Sequence, residues 1–197
     1  MAININPIQL IGNWDVGYAL DVHVKTSIPV GEDPFGNMIF ATERSEIGEL
    51  LYQFKYRGKS ENLNPIVDAV ILFLALHPEM RGFGSIIPVP PTPDNRRVYQ
   101  PTYEIAEAVA NRLSIPFCDN VLEKRIDVPL KGMPAAEKSK IDNFIVKNRR
   151  ATRKHSVLII DDLFQTGTTL KHCTQRLRED PLVDKIFVLT ITKTKNQ

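Results

Sequence analysis

Residues 157–160 read Val-Leu-Ile-Ile, four apolar side chains with no polar residue between them. Successive side chains of a strand point to opposite faces, so a strand wetted on one face alternates apolar with polar. A run without alternation has to be covered on both faces, the situation of a strand inside a parallel sheet flanked by helices. Two more apolar runs accompany it, "SIIPVP" (residues 85–90) and "KIFVLTIT" (residues 185–192). Amphipathic stretches lie between them. Thr102–Leu113 places Ile105 and Val109 toward one edge, and Thr168–Arg178 places Leu170, Cys173 and Leu177 on one face. Strand–helix–strand repetition of this kind predicts an α/β fold with a mostly parallel sheet flanked by helices. The chain has 197 residues and is 43% hydrophobic, enough to fill one such core.

The first part of the chain reads differently. "YALDVHV" (residues 18–24) alternates, and "PVGEDPFGN" (residues 29–37) is rich in turn residues ahead of "MIF". Residues 1–42 are therefore expected to form a small N-terminal β element, hairpin-like, ahead of a main domain of residues 43–197. That domain opens with a helix over roughly Glu43–Tyr56, where Ile47, Leu50, Leu51 and Phe54 share a face and Gly58 is the stop. Asn64 and Pro65 read as the cap and first residue of a second helix. Its "IVDAVILFLAL" is apolar almost all round, so it should be buried.

The central apolar run ends in Asp161 and Asp162, and three residues later comes Thr166-Gly167-Thr168-Thr169, opening a helix. In open α/β sheets ligands bind beyond the carboxyl ends of the strands. A helix N-terminus offers free amides and the positive end of the helix dipole, a ready anion site. Gly167 permits close backbone approach, and the threonines add hydroxyl donors. The loop therefore suits a phosphate. The two carboxylates beside it repel a phosphate and suit hydroxyl groups, or a divalent ion held jointly with a ligand. Ribose 5-phosphate, with a terminal phosphate and vicinal hydroxyls, fits both halves. The full Gly-x-x-x-x-Gly-Lys-Ser/Thr pattern is absent, since Gly58-Lys59-Ser60 has Gln53 where its first glycine would stand, which argues against a nucleotide-hydrolysing phosphate loop of that type.

Other features narrow the class. Cys118 and Cys173 form no Cys-x-x-Cys and suggest neither a zinc ribbon nor a disulfide framework. The four histidines share no metal-ligand spacing. A net charge of +2 gives no global field for nucleic acid or membrane. The first residues lack a basic leader, and no apolar window reaches the ~18–20 residues of a spanning helix, so a soluble, cytoplasmic chain is expected. Residues 124–154 are strongly basic, with ten Lys or Arg against three Asp or Glu. A nucleic-acid strip is the weaker reading of that stretch, since Phe144 is its sole aromatic residue. The sequence is silent on a homo-oligomer.

"VLIIDDLFQTGTTL" (Val157–Leu170) resembles the signature that type I phosphoribosyltransferases use for phosphoribosyl pyrophosphate (PRPP). Two more segments resemble the competence-protein ComF family: "LLYQFKYRGKSE" (Leu50–Glu61), and the Pro-Val-Pro strand, basic loop and helix of Ile86–Leu113. The family's four-cysteine N-terminal module has no counterpart here, and its Arg-Gly-Phe-Asn-Gln motif reads Arg97-Val98-Tyr99-Gln100.

The resemblance implies transfer of a phosphoribosyl group to a nitrogen acceptor with release of pyrophosphate. On that pattern Asp161 and Asp162 hold the ribose hydroxyls, while Gln165, Thr166, Gly167, Thr168 and Thr169 cradle the 5-phosphate. Arg96, Arg97 and Lys131 are the cations expected at the pyrophosphate. Lys55 and Arg57 either join them or simply form a polar helix end. Mg²⁺ is the implied cofactor, held through PRPP and by Asp161 or Asp162. The basic stretch 124–154 is the implied mobile loop. Acceptor contacts fall to the N-terminal element, including Trp14 and Tyr18 if they are not simply packed, and to residues 190–193. Two other readings stay open: a non-catalytic PRPP or nucleotide sensor, and a competence (DNA-uptake) accessory protein.

Overall fold

The computed structural model describes residues 3–92, 100–125 and 145–195. Its centre is a five-stranded sheet built from β1 (Ile8–Gln9), β2 (Val16–Val22), β5 (Phe83–Pro88), β8 (His155–Phe164) and β9 (Val183–Lys193). The spatial order is β1-β2-β9-β8-β5. Strands β2, β9, β8 and β5 run parallel, and only the two-residue β1 is antiparallel to its neighbour. The expected α/β fold, mostly parallel and flanked by helices, is the one observed.

The unbroken apolar run divides between two cores. Leu158 and Ile160, with Leu189 and Ile191 of β9, pack against α1 (Glu46–Tyr56), α2 (Leu63–Leu76) and α3 (Pro101–Leu113). Val157 and Ile159, with Ile186 and Val188, pack against Leu170, Cys173 and Leu177 of α4 (Thr168–Arg178). Each fully buried aliphatic side chain contributes roughly 1.5–3 kcal/mol, so both layers are needed to hold the central strand. A small antiparallel pair, β6 (Leu122–Lys124) and β7 (Ile145–Lys147), adds Leu122 and Ile145 to the α4 side. The β5 edge of the sheet is not bare. Beyond β5, Ile86 exchanges backbone bonds with Pro116 and Cys118, at 2.9 Å each.

Three details differ from the sequence expectation. The stretch 1–42 does not form one hairpin. Strand β2 joins the central sheet beside β9, while β3 (Val24–Glu32) and β4 (Met38–Arg44) form a separate antiparallel ribbon. Alternation in "YALDVHV" marks any half-covered strand, and it cannot tell a hairpin arm from a strand near a sheet edge. The ribbon carries exposed Ile28, Val30, Phe35 and Phe40. Helix α2 begins at Leu63, after a 3₁₀ turn at Ser60–Asn62, so Pro65 lies within the first turn, where its missing N–H costs nothing. The third detail is β8, which runs through both acids to Phe164, held there by Leu163↔Thr192 and Phe164↔Lys193 pairing with the long β9.

Trp14 packs. It is 7% exposed, its Nε1 donates to the Leu10 carbonyl at 2.9 Å, and its ring meets Phe164 edge-on at 6.4 Å. Tyr18 rests on Phe73 and His77, with ring centres 5.4 and 5.5 Å away. Cys173 is buried and its thiol is pushed up by that burial. No helix among the described residues is long and apolar enough to cross a membrane.

Helix α1 is fixed to the sheet by its cap. Ser45 Oγ accepts from the Gly48 amide at 3.0 Å and donates to the Val22 carbonyl at 2.5 Å. Ser45→Ala is expected to cost about 1–2 kcal/mol, the range for a lost N-cap. Thermal unfolding should show a melting temperature lower by roughly 2–8 °C.

Candidate functional site

The C-terminal halves of β8 and β9 carry the polar residues of the sheet, and α1, α3 and α4 close around them. Asp162 is the best-anchored group. Its Oδ2 takes an ion pair from Lys55 Nζ of α1 at 2.8 Å and a hydrogen bond from Thr102 Oγ1 of α3 at 3.0 Å. Both side chains of the ion pair are about one-sixth exposed, at 16% and 17%. The backbone is held as well, since Thr192 Oγ1 donates to the Asp162 carbonyl at 3.2 Å. His23 Nδ1 lies 3.3 Å from the same Thr192 hydroxyl. Its imidazole is held below the usual range by burial and then by Arg44 and Lys55.

Asp161 is placed differently. Its Oδ1 accepts from the Asp162 amide at 2.8 Å. Burial, and next the Asp162 carboxylate, push its carboxyl up to about 7, against the weaker pull of Lys55 and Lys124. Thr190, its cross-strand neighbour on β9, has a buried hydroxyl with no partner. A raised folded-state value means that the native protein holds a proton the unfolded chain releases. The Asp161 contribution to stability is therefore full below about pH 4 and lost as pH rises through about 7. Denaturant titrations across that window should show stability falling, and Asp161→Asn should flatten this limb.

The turn after β8 is shaped by Gly167. Its φ is 73°, and a Cβ there would lie 2.7 Å from the Phe164 ring. Thr166 Oγ1 and Thr168 Oγ1 sit 3.0 Å apart, and Thr166 Oγ1 also receives the Thr168 amide at 3.4 Å. Helix α4 carries no acid in its first turn and has Arg176 and Arg178 in its last. Nothing on the helix opposes an anion at its start.

Asp161, Asp162, Lys55 and Thr169 line one cavity of about 230 Å³, together with Thr102, Tyr103 and Lys124. Residues 89–92, after the end of β5, form another wall. Of the residues expected from sequence, the structure gathers Asp161, Asp162, Lys55 and Thr169 at this cavity. Gln165, Thr166, Gly167 and Thr168 form the adjoining turn. Arg57 does not line this cavity: it is exposed beyond the end of α1, and its guanidinium donates to Tyr52 Oη at 3.3 Å. The chain turns away at Gly58, which carries Arg57 off with the helix end. Arg96, Arg97 and Lys131 lie outside the described residues. Thr102 was not singled out by sequence reading, and Lys124 only as the first cation of the basic stretch 124–154. Thr102 is the second residue of α3 and meets Asp162 across 60 positions, a contact with no local pattern.

The donor set bears on metal binding. Among the described residues no three His, Cys, Asp or Glu side chains cluster as ligands. Two adjacent carboxylates fit Mg²⁺ only when a ligand's oxygens complete the coordination, which is the usual way this ion is held.

Residues 102–183 match the family model described as a phosphoribosyl transferase domain, a span running from α3 through α4. Among solved structures, the chain is similar to adenine phosphoribosyltransferase from Saccharomyces cerevisiae at 17% identity and a TM-score of 0.44, covering 83% of each chain. It is similar to adenine phosphoribosyltransferase from Thermoanaerobacter pseudethanolicus at 16% identity and a TM-score of 0.44, over 85% of this chain and 94% of that one. Orotate phosphoribosyltransferase from Aeropyrum pernix follows at 14% identity and a TM-score of 0.42, over 85% of this chain and 74% of that one. No curated protein matches the chain.

Proposed function

We propose that this protein binds PRPP and transfers its phosphoribosyl group to a nitrogen acceptor, releasing pyrophosphate. One observation carries the reading. Two carboxylates on a central parallel strand face a cavity that continues into a glycine–threonine turn at a helix N-terminus. The match of residues 102–183 to a phosphoribosyl transferase domain supports it. In this reading the turn 165–169 takes the 5-phosphate, through amides and the hydroxyls of Thr166, Thr168 and Thr169. Asp161 and Asp162 take the ribose hydroxyls. Lys55 and Lys124, already at the cavity, meet the pyrophosphate in this reading, and Arg96, Arg97 and Lys131, outside the described residues, are the further cations expected for it.

In the transfer, the bond from C1 to the pyrophosphate oxygen breaks and a bond from the acceptor nitrogen to C1 forms. The departing pyrophosphate takes the bonding electrons. Charge on the sugar ring grows positive as they leave, and the two acids lie where that charge is stabilised. Lys55 has a second task. It must exchange Asp162 for the ligand, so the ion pair at 2.8 Å acts as a placeholder that keeps both side chains in position. Asp161 and Asp162 would hold Mg²⁺ jointly with PRPP oxygens, and the ion would neutralise the departing pyrophosphate.

The exposed β3–β4 ribbon leaves the sheet at residue 23, beside Thr192, and its apolar side chains suit a cover over a planar acceptor. The segments Leu50–Glu61 and Ile86–Leu113 are the ground for reading the chain as ComF-like. The test is a titration of PRPP with Mg²⁺, followed by an assay of pyrophosphate release with a panel of nucleobases and amines. Saturable binding with release dependent on one acceptor is the expected result. Binding without release for any acceptor would leave a PRPP sensor, and no binding would overturn the assignment.

A further inference from the structure

A second cavity, of about 260 Å³, opens at the opposite pole of the sheet. It is bounded by the starting residues of the parallel strands: Ser85 of β5, His155 of β8 and Val183 of β9. From His155 to Asp161 the strand advances about 20 Å at ~3.3 Å per residue, so this pocket is no extension of the first. Its floor is apolar, formed by Ile87, Val157 and Leu177. Its rim carries Arg149, Arg150 and Arg153. None of these three guanidiniums is paired with a carboxylate among the described residues, although Lys147, Lys154, Arg176 and Arg178 nearby all are.

The rim is held in place from beneath. Asp180 is 4% exposed and takes Lys147 Nζ at 2.7 Å, the Ala151 amide at 2.8 Å and the Leu182 amide at 3.1 Å. These bonds hold its carboxyl well below the usual range, near 2. Its charge is thus already answered, and Ala151, between the arginines, is fixed by it. His155 is oriented as well. Its Nε2 is 3.1 Å from Ser85 Oγ, and its Nδ1 is 3.0 Å from the Arg153 carbonyl. Of the other acids near the rim, Asp184 is paired with Lys154 at 3.1 Å, Glu179, which borders Arg149 and Arg150, is paired with Arg176 at 2.6 Å, and Asp119 lies beside Cys118. A concave apolar floor under three forked cations that no described carboxylate pairs with is the arrangement that takes a phosphate ester, head on the guanidiniums and body on the floor.

We propose that this pocket is a second binding site, for a small phosphate ester with a planar or apolar body such as a nucleoside monophosphate. Arg149, Arg150 and Arg153 grip the phosphate, and Ile87, Val157 and Leu177 receive the body. The site is independent of the PRPP reading and stands if that reading fails.

The test titrates AMP into the full chain and follows the imidazole resonances of His155 by NMR. Saturable shifts of His155 are expected. Affinity should fall at least roughly tenfold in the Arg149→Ala/Arg150→Ala/Arg153→Ala variant, as two or more charge-assisted bonds are lost. These residues are exposed, so that variant should fold, and its melting curve checks this. The Asp161→Asn/Asp162→Asn variant should keep the His155 response, which separates this site from the first. Inorganic phosphate should bind several-fold more weakly than AMP, because it leaves the floor empty. Unmoved His155 resonances, equal affinity in the triple variant, or equal binding of inorganic phosphate and AMP would each overturn the proposal. So would an oligonucleotide that displaces AMP through the same arginines, which would make the rim a nucleic-acid surface.

Discussion

Replacing Asp161 and Asp162 together by asparagine is expected to weaken PRPP binding by on the order of 100-fold or more. Each carboxylate offers the ligand hydrogen bonds assisted by its charge, and such bonds contribute roughly 1.5–3 kcal/mol apiece. Losing two amounts to two or more factors of ten at about 1.4 kcal/mol each. The fold should survive. Asp161 is a carboxyl that burial already pushes up to about 7, so its charge is not something the native state depends on. Asp162→Asn gives up an ion pair to Lys55, but an amide oxygen can still accept from Thr102. Calorimetric titration with PRPP and Mg²⁺ reads the affinity, and thermal unfolding reads the fold. Intact affinity in a folded double variant would refute the assignment of these two residues.

The second large effect is expected at Gly167. Alanine there meets two costs. A residue with a Cβ held at φ 73° is strained by roughly 1–2 kcal/mol. The new methyl would also lie 2.7 and 2.8 Å from Cε2 and Cζ of Phe164, so either the ring or the turn must move. Phe164 in turn packs edge-on against Trp14, which resists displacement. We expect a loss of about 2–4 kcal/mol of stability, read by denaturant unfolding, with PRPP affinity down at least roughly tenfold as the turn shifts. Gly58 supplies the control: its φ is 66° and nothing lies within 4 Å of the methyl position. Gly58→Ala should show the backbone cost alone. If the two alanine variants lose the same stability, the contact with Phe164 is not what shapes the turn. Phe164→Leu combined with Gly167→Ala should recover part of the difference.

Much of the central architecture was legible because it rests on local rules. An unbroken apolar run has to be covered twice, and a glycine among threonines after a strand has to turn into a helix; β8 and α4 follow from that. The partners of Asp162 were not legible in the same way. Lys55 and Thr102 come from two other helices and converge only once α1 and α3 pack on the same side of the sheet. Arg57, two residues beyond Lys55, shows the limit from the other direction, since a small step along a helix end takes a side chain from the cavity into solvent. The destination of β2 was hidden for a different reason. The partner that recruits it, β9, is more than 160 residues away, and alternation says nothing about who the neighbour will be.

Adjacent residues on β8 answer to different layers, and the two acids continue that alternation. Asp162 is bonded to the α1 and α3 layer, whereas Asp161 shares parity with Val157 and Ile159, which rest on α4. The protein thus wires its two carboxylates to separate halves of its interior. Sequence drift behind α4 would act first on Asp161, and drift in α1 or α3 first on Asp162, so the two carboxylates answer to different parts of the interior before they answer to each other.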